Sequence, residues 1–293
     1  MHFSFFMFQR LKNKIPHLIL AGLLLVAVFV WLAVWEARVS DKVKIDFFDV
    51  GQGSAIFVGA PNGNQILIDG GPSDAVLAKL GQALPLFDRK IELLILTHPD
   101  SDHLSGLVEV LKRYEVGQIL ATGIADNSAE YRAWNDLIKQ KNIPVVFARA
   151  GDVVKIADNL AIQILYPFGK INGQDFSNTN STSIVGKIFY GQNTVLFTGD
   201  AEGSVENPLL FSGINLKADI LVVGHHGSKN ATSEEFLAAV APEIAVIQVG
   251  AKNKYGHPTP EVLSRLAGID IFRTDLDNDI NFECDLLKCF RME

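Results

Sequence analysis

Hydrophobic and polar positions follow three different patterns along this chain. Residues 18–35, LILAGLLLVAVFVWLAVW, are an unbroken apolar run without a charged side chain. At 1.5 Å rise per residue, a helix of that length covers most of a hydrocarbon layer about 30 Å thick. From residue 42 onward the runs are shorter. KVKIDFFDV (42–50), SAIFVGA (54–60), NQILIDGG (64–71), IELLILT (91–97) and GQILAT (117–122) read as strands, and PNGN (61–64) closes a hairpin between the second and third. PVVFA, AIQILYP, TSIVGKIFYG, NTVLFTGD, ADILVVGHHGS, IAVIQVG and IDIFRTD continue the series. Helical spacing marks DAVLAKLGQAL (74–84), HLSGLVEVLKRY (103–114), AEYRAWNDLIKQKN (129–142), SEEFLAAVAP (233–242) and TPEVLSRLAG (259–268). Strands outnumber helices, and the helices are interspersed throughout. The pattern suits two packed sheets with outer helices better than one doubly wound sheet, although composition alone does not separate the two.

The long apolar run divides the chain into a short N-terminal segment (1–17), a transmembrane anchor (18–36) and a main domain (40–293). Arg10, Lys12 and Lys14 precede the run, and Trp31 and Trp35 sit near its far end, where amphipathic rings favour the membrane interface. A cleaved signal peptide is the competing reading. Its apolar core is usually only about 7–15 residues long, and LAVWEARVSD offers just Ala33 and Ala37 beside bulky Trp35 and Glu36. An uncleaved single-pass anchor is therefore expected. Arg38, Lys42 and Lys44 follow the run, so charge flanks both sides, and the orientation favoured is N-terminus inside with an extracytoplasmic main domain.

Charge narrows the class of partners. Of the 293 residues, those from 37 onward include 23 basic and 32 acidic ones, a net charge of −9. A long nucleic-acid-binding face is usually basic, so any such patch here must be local. The two cysteines, Cys284 and Cys289 in CDLLKC, match neither a zinc pattern nor a redox pair. A disulfide outside the cytoplasm and a pair of free thiols both remain open.

The chemistry concentrates at LTHPDSDHLSGL (96–107), where His98, Asp100, Asp102 and His103 crowd into six positions as a strand gives way to a helix. Imidazole and carboxylate are ligands for zinc, manganese or iron. Three more apolar strands end in titratable groups: NQILIDGG in Asp69, NTVLFTGD in Asp200, and ADILVVGHH in His225 and His226. Strand ends at one sheet edge can hold such groups at fixed separations, and four strands delivering them together point to a metal centre.

THPDSDH, TGDAE and GHHGS, with LIDGG upstream, resemble the metallo-β-lactamase superfamily. FFDVGQGSA, NSTSIVGKIFYGQNTVLFTGDAE, VVGHHGSKNATS and YGHPTPEVLSRL are more narrowly similar to the ComEC-type competence hydrolase domain, over about Val43 to Asp275. The resemblance implies an αββα sandwich of two mixed β-sheets with outer helices and a centre for one or two divalent ions, Zn or Mn. The family's H-x-H-x-D-H pattern falls on His98, Asp100, Asp102 and His103, with Asp100 standing where the wider superfamily has histidine. Asp200 matches the carboxylate bridging two metals, and His225 or His226 the last histidine ligand. His225 is the preferred ligand, leaving His226 against substrate or just behind the ligands. Asp69 matches an aspartate that supports the ligand loop without ligating.

The superfamily usually places a further histidine before Asp200, yet residues 104–224 contain none. NSTS occupies that stretch, with Asn180 or Ser181 as nearest counterpart. One metal position would then have His98, Asp100 and Asp200, and the other Asp102, His103, Asp200 and His225. The first, poorer in nitrogen, would fill weakly or prefer manganese. Lys229 and His257 are candidates for substrate contact, while Asp49 and Gln52 in DVGQG fit turn roles beside Gly51 and Gly53. His2 and His17 flank the anchor and carry no assigned role.

The resemblance implies metal-assisted hydrolysis of a phosphodiester, in single-stranded DNA or a cell-wall polymer, with Asp102, Asp200 and His226 at the reacting centre. Rival readings are hydrolysis of a lactone, thioester or β-lactam, and a non-catalytic accessory role in DNA uptake. A single hydrophobic span does not make a pore, so any uptake channel would be a separate partner. The oligomeric state is not legible.

Overall fold

The structure, a computed structural model, describes residues 2–36 and 41–292. It divides into two units, residues 1–40 and 41–293. The first is a helix, α1 (His2–Glu36), so the segment 1–17 and the apolar run share one element. Lys14–Leu32 within it is long and apolar enough to cross a membrane, with none of its surface buried. The side chains of Arg10, Lys12, Trp35, Ala37 and Arg38, used above to argue anchor and orientation, lie outside the described residues.

The second unit contains two mixed sheets. The first comprises β1 (Val43–Phe47), β2 (Ile56–Gly59), β3 (Gln65–Ile68), β4 (Lys90–Leu96), β5 (Glu115–Ala121) and β6 (Val145–Phe147). The second starts with β7 (Val153–Ala157), β8 (Leu160–Tyr166), β9 (Val185–Tyr190) and β10 (Asn193–Phe197), and is completed by β11 (Ile220–Val222), β12 (Ile244–Ile247) and β13 (Asp270–Arg273). β14 (Ile280–Cys284) and β15 (Cys289–Arg291) return to the first sheet, which runs β15-β14-β1-β2-β3-β4-β5-β6; the other runs β13-β12-β11-β10-β9-β8-β7. Helices α2 (Ala75–Ala83), α3 (Ser101–Arg113) and α4 (Ala129–Lys141) belong to the first half. Helices α5 (Gly203–Phe211), α6 (Glu234–Val240), α7 (Pro260–Arg265) and the single turn α8 (Thr274–Asp277) belong to the second.

Side-chain alternation explains the layering. Ile66, Ile68, Leu93 and Ile95 join Val195, Phe197, Ile188 and Ile220 in a core between the two sheets. Their neighbours Leu67, Leu94 and Leu96 point the other way, onto Leu80, Leu104, Leu107, Leu111 and Trp134. Leu196, Leu221, Ala245 and Ile247 do the same in the second sheet, against Leu209, Phe236 and Val262. Strands buried on both faces read as continuous apolar runs, as IELLILT and ADILVV do. Two sheets around one core with helical layers outside make the αββα sandwich.

Cys284 and Cys289 are direct partners across β14 and β15 and form a disulfide, which resolves the choice left open by sequence. The first two turns of α3 lie hard against the loop after β3. Gly70 N donates to His103 O at 2.8 Å and Gly106 N to Gly71 O at 2.9 Å, and a Cβ on Gly106 would stand 1.8 Å from the Gly70 carbonyl oxygen. Only glycine permits that approach, which fixes the helix end carrying Asp102 and His103.

Candidate metal centre

β3 and β4 run parallel in one sheet, and β10, β11 and β12 run parallel in the other. Their C-terminal ends deliver Asp69, His98, Asp200, His225, His226 and Gln248 to one rim of the sandwich. Asp69 takes a left-handed backbone (φ 59°), which aspartate tolerates better than most residues, and turns its carboxylate back toward β4. The tight turn holding His225 and His226 is left-handed at both residues, with φ 48° and 54°. Histidine occupies that region at a cost of about 1–3 kcal/mol. The strain sends two successive rings toward the same carboxylate.

Asp200 is buried at the centre. Its Oδ1 lies 3.1 Å from His103 Nε2 and 3.6 Å from His226 Nε2. Its Oδ2 lies 3.5 Å from His225 Nε2 and 3.9 Å from His98 Nε2. Asp102 Oδ2 is 3.2 Å from His226 Nε2, and Asp100 Oδ2 is 3.8 Å from His98 Nε2. Asp102, His103, Asp200 and His226 each offer one donor atom, and all four atoms lie within 4.8 Å of one another. His226 therefore occupies the position given by sequence to His225. Consecutive left-handed residues splay their side chains, so His225 turns to the other oxygen of Asp200, on the side of His98 and Asp100.

All four imidazoles are held the same way round. His103 Nδ1 is 2.8 Å from Asp69 Oδ2, His225 Nδ1 2.9 Å from Glu202 Oε1 and His226 Nδ1 2.8 Å from the Gln248 carbonyl oxygen. Thr97 Oγ1 donates to Asp69 and thereby accepts from His98 Nδ1, 3.0 Å away. With Nδ1 committed to an oxygen in every ring, each Nε2 is left with its lone pair facing Asp200, the arrangement that metal-bound histidines adopt. His98 Nε2, His103 Nε2 and Asp200 Oδ1 are buried without a hydrogen-bond partner. Three such atoms converging on one point suit a cation, because unpaired buried polar atoms are costly.

Electrostatics lead to the same conclusion. Burial lowers the His98 imidazole to about pKa 4, leaving it neutral and able to ligate. Burial acts likewise on His103, but the carboxylates of Asp200 and Asp69 outweigh it and raise the ring well above its ordinary value. Asp102 resists burial through the neighbouring His226 and His103 rings, which together take its carboxyl down to about 2. Asp200, also buried, is held far below the usual carboxylate range by His226 and His103. The cluster draws positive charge to its centre, and a divalent ion would supply it without protonating a ligand.

A pocket of about 460 Å³ opens over the cluster, lined by Asp100, Asp102, Asp126, Glu130, Asp200 and the rings of Tyr255 and His257 among others. His257 stacks on Tyr255 and meets His225 edge to face. Asn180 Nδ2 reaches His225 Nδ1 at 3.4 Å. Lys229 is exposed and does not line the pocket. Asp49 Oδ1 accepts from Gly51 N and Gln52 Oε1 from Gly250 N, so both shape turns; Gln52 also reaches the pocket. Sequence reasoning missed Thr97, Glu202, Gln248, Thr179 on Asp100 Oδ1, and the pocket residues Tyr255, Asp126 and Glu130. Thr97, Glu202 and Tyr255 carried a signal, as end letters of THPDSDH, TGDAE and YGHPTPEVLSRL.

Comparison with known proteins agrees with this architecture. Residues 48–251 match the metallo-β-lactamase superfamily model. ComE operon protein 3 of Bacillus subtilis is 30% identical over 291 residues, covering 92% of this chain and 37% of that protein. Recombination protein 2 of Haemophilus influenzae is 36% identical over 228 residues, covering 76% and 26% respectively. The chain thus spans about a third of the length of these relatives. Among solved structures, the metallo-β-lactamase fold protein YhfI from B. subtilis superposes with a TM-score of 0.56 at 14% identity, over 84% of this chain and all of that one. CmlA, a diiron β-hydroxylase from Streptomyces venezuelae, gives 0.53 at 15% identity over 85% and 54%. At such identities these two likenesses speak for the fold alone. From its sandwich, its His/Asp cluster and its relatives, the chain belongs to the metallo-β-lactamase superfamily, with a domain of the ComEC competence type.

Proposed function

We propose that the domain is a metal-dependent phosphodiesterase acting at a membrane, and that Asp200 would help hold two divalent ions. His98, Asp100 and His225 would complete one position, and Asp102, His103 and His226 the other. The observation that carries this reading is the common orientation of the four imidazoles, Nδ1 tied to oxygen and Nε2 turned to Asp200. His225 then supplies nitrogen where the superfamily's additional histidine is missing. Zinc and manganese both suit such a mixed set.

When bound, the cations supply Lewis-acid activation of water and of the substrate's oxygens. The protein's own groups do the rest. Asp200 fixes the direction of attack by keeping its carboxylate immobile between four rings. Asp100, Asp102, Asp126 and Glu130 repel a bare phosphate, so an anionic substrate fits only once cations reverse the local sign. His257 and Tyr255 form the mouth, where they can stack on a base or sugar and donate to a phosphate oxygen. Burial and the neighbouring His225 lower the His257 pKa, which keeps the ring neutral and free to exchange a proton with a leaving group.

The names of the relatives, ComE operon protein 3 and Recombination protein 2, support a DNA-linked substrate, with single-stranded DNA foremost and a separate membrane channel as partner. The disulfide and the apolar helix support an extracytoplasmic domain on a single-pass anchor. The test is the full-length protein in detergent with manganese or zinc, assayed on bis-p-nitrophenyl phosphate, single-stranded DNA and a lactone beside Asp102→Ala. Cleavage of the lactone alone overturns the phosphodiester reading. Equal turnover by wild type and Asp102→Ala removes the catalytic assignment.

A further inference from the structure

The end of the domain opposite the metal centre has a different character. β4 and β5 begin there, at Lys90 and Glu115, and α3 and α4 finish there, at Arg113 and Lys141. A shallow depression of about 690 Å³ is lined by Phe87, Arg89, Lys112, Arg113, Tyr114 and Lys141 among others, with Glu115 its single acidic residue. In a chain of net charge −7 this is a local reversal of sign. Lys112 pairs with Glu109 at 2.6 Å. Arg89 packs over the Tyr114 ring and Lys141 donates to the Tyr114 carbonyl, while Arg89, Arg113 and Lys141 have no acidic partner among the described residues. Beside these cations the loop after α2 projects two adjacent apolar side chains, Leu86 and Phe87, 80% and 91% exposed. Scattered single exposed hydrophobics are ordinary; an adjacent pair beside four cations, with the intervening Asp88 occupied by Gln65 and the Lys90 amide, is the composition of an interfacial anchor.

We infer that this face docks the domain on an anionic lipid surface, Leu86 and Phe87 entering the headgroup region while Arg89, Lys112, Arg113 and Lys141 meet lipid phosphates. Two observations favour lipid over nucleic acid. Leu86 gains nothing from a phosphodiester backbone but gains from acyl chains. The topology also orients the face: β1 is antiparallel to β2 and β2 to β3, which is parallel to β4, so β1 starts at the same end of the sheet as Lys90. β1 is the first strand after the membrane-length helix in chain order, so the chain enters the sheet at the cationic end. Docking there sets the metal centre at the far rim of the sheet, facing away from the lipid and open to a polymeric substrate.

The test uses the full-length protein in nanodiscs of phosphatidylcholine alone or of phosphatidylcholine with phosphatidylglycerol. Hydrogen exchange is followed over residues 83–90 and 111–116 without added metal, so the result stands apart from hydrolase activity. Each cation near an anionic surface is worth about fivefold in binding, so phosphatidylglycerol should slow exchange at these peptides at least about fivefold. Arg89→Glu with Arg113→Glu should abolish the effect, and Leu86→Ser with Phe87→Ser should weaken it. Equal exchange in both discs overturns the proposal. So does protection by an oligothymidylate in phosphatidylcholine discs that matches the phosphatidylglycerol effect, which assigns the face to nucleic acid. Concentration-dependent protection in phosphatidylcholine alone overturns it in favour of a second copy of the chain.

Discussion

His225 and His226, neighbours in sequence, hold their rings 6.1 Å apart and address different oxygens of Asp200, the first 3.5 Å from Oδ2 and the second 3.6 Å from Oδ1. One carboxylate is thereby surrounded by imidazole nitrogen on both of its oxygens. The left-handed turn makes this possible, since a helical or extended pair would aim one ring away from the rim.

The two histidines should therefore differ in what their loss removes. His226→Ala should lose the ion held with Asp102 and His103, with a fall in affinity exceeding the roughly 10–100-fold typical of outer-sphere partners. His225→Ala should keep that ion and lose the one beside His98 and Asp100. Metal content by plasma mass spectrometry, with calorimetric titration of the stripped protein, distinguishes them. Identical stoichiometry in both variants would contradict the division.

Asp69 touches no vacant nitrogen, yet it accepts from Thr97 N and Thr97 Oγ1 and holds His103 Nδ1. Asp69→Asn keeps its size and removes its charge. Metal affinity should drop about 10–100-fold while the fold persists. Circular dichroism should be unchanged and the competition curve against a chelating dye displaced; an undisplaced curve would deny Asp69 a role in orienting the ring.

Away from the metal centre, Asp46 on β1 is half-buried, and burial pushes its carboxyl up to about 6, with Lys44 opposing and Asp279 adding to the rise. Because the folded state holds this proton more tightly than the unfolded chain, the stability it contributes is full below pH 4 and lost as pH rises through 6. A carboxyl held near 6 in place of its ordinary value corresponds to about 3 kcal/mol, reduced to about 1–2 kcal/mol by partial exposure. Asp46→Asn should match wild type at pH 4 and exceed it by that amount at pH 7.5 in denaturant titrations. Parallel stability curves would refute it.

The Cys284–Cys289 bond spans a separation of five residues, and closing so short a loop is worth about 2 kcal/mol in the chain-entropy account. Cys284→Ser with Cys289→Ser should lower stability by about that much and leave metal binding intact, because the hairpin lies at the edge of the first sheet, beyond β1. Urea unfolding with and without reductant measures it; a reductant-insensitive wild type would mean the thiols are unpaired.

The donors were legible because each follows a strongly apolar strand directly or, like Asp100, Asp102 and His103, opens the helix after it, so even an unaligned sequence marks where they gather. Assigning His225 or His226 to its oxygen was not, since it depends on a pair of backbone dihedrals that no propensity encodes. Thr97, Gln248 and Glu202 act through direction or a main-chain carbonyl, which composition does not register. β14 and β15 escaped for another reason. INFEC alternates correctly, yet five residues among acidic neighbours signal little, and the partner strand β1 lies more than 200 residues earlier. The two-sheet layering was legible in the excess of strands over interspersed helices and in the family motifs; runs buried on both faces, such as IELLILT, fit a doubly wound sheet equally well.

The contact between Gly70 and Gly106 seats the helix end that carries Asp102 and His103 on bare main chain. Laboratory evolution of the site would find that seat immovable, as even alanine at 106 collides with a carbonyl. Variation would have to accumulate among Asp126, Glu130, Tyr255 and His257, making substrate range separable from the machinery beneath it.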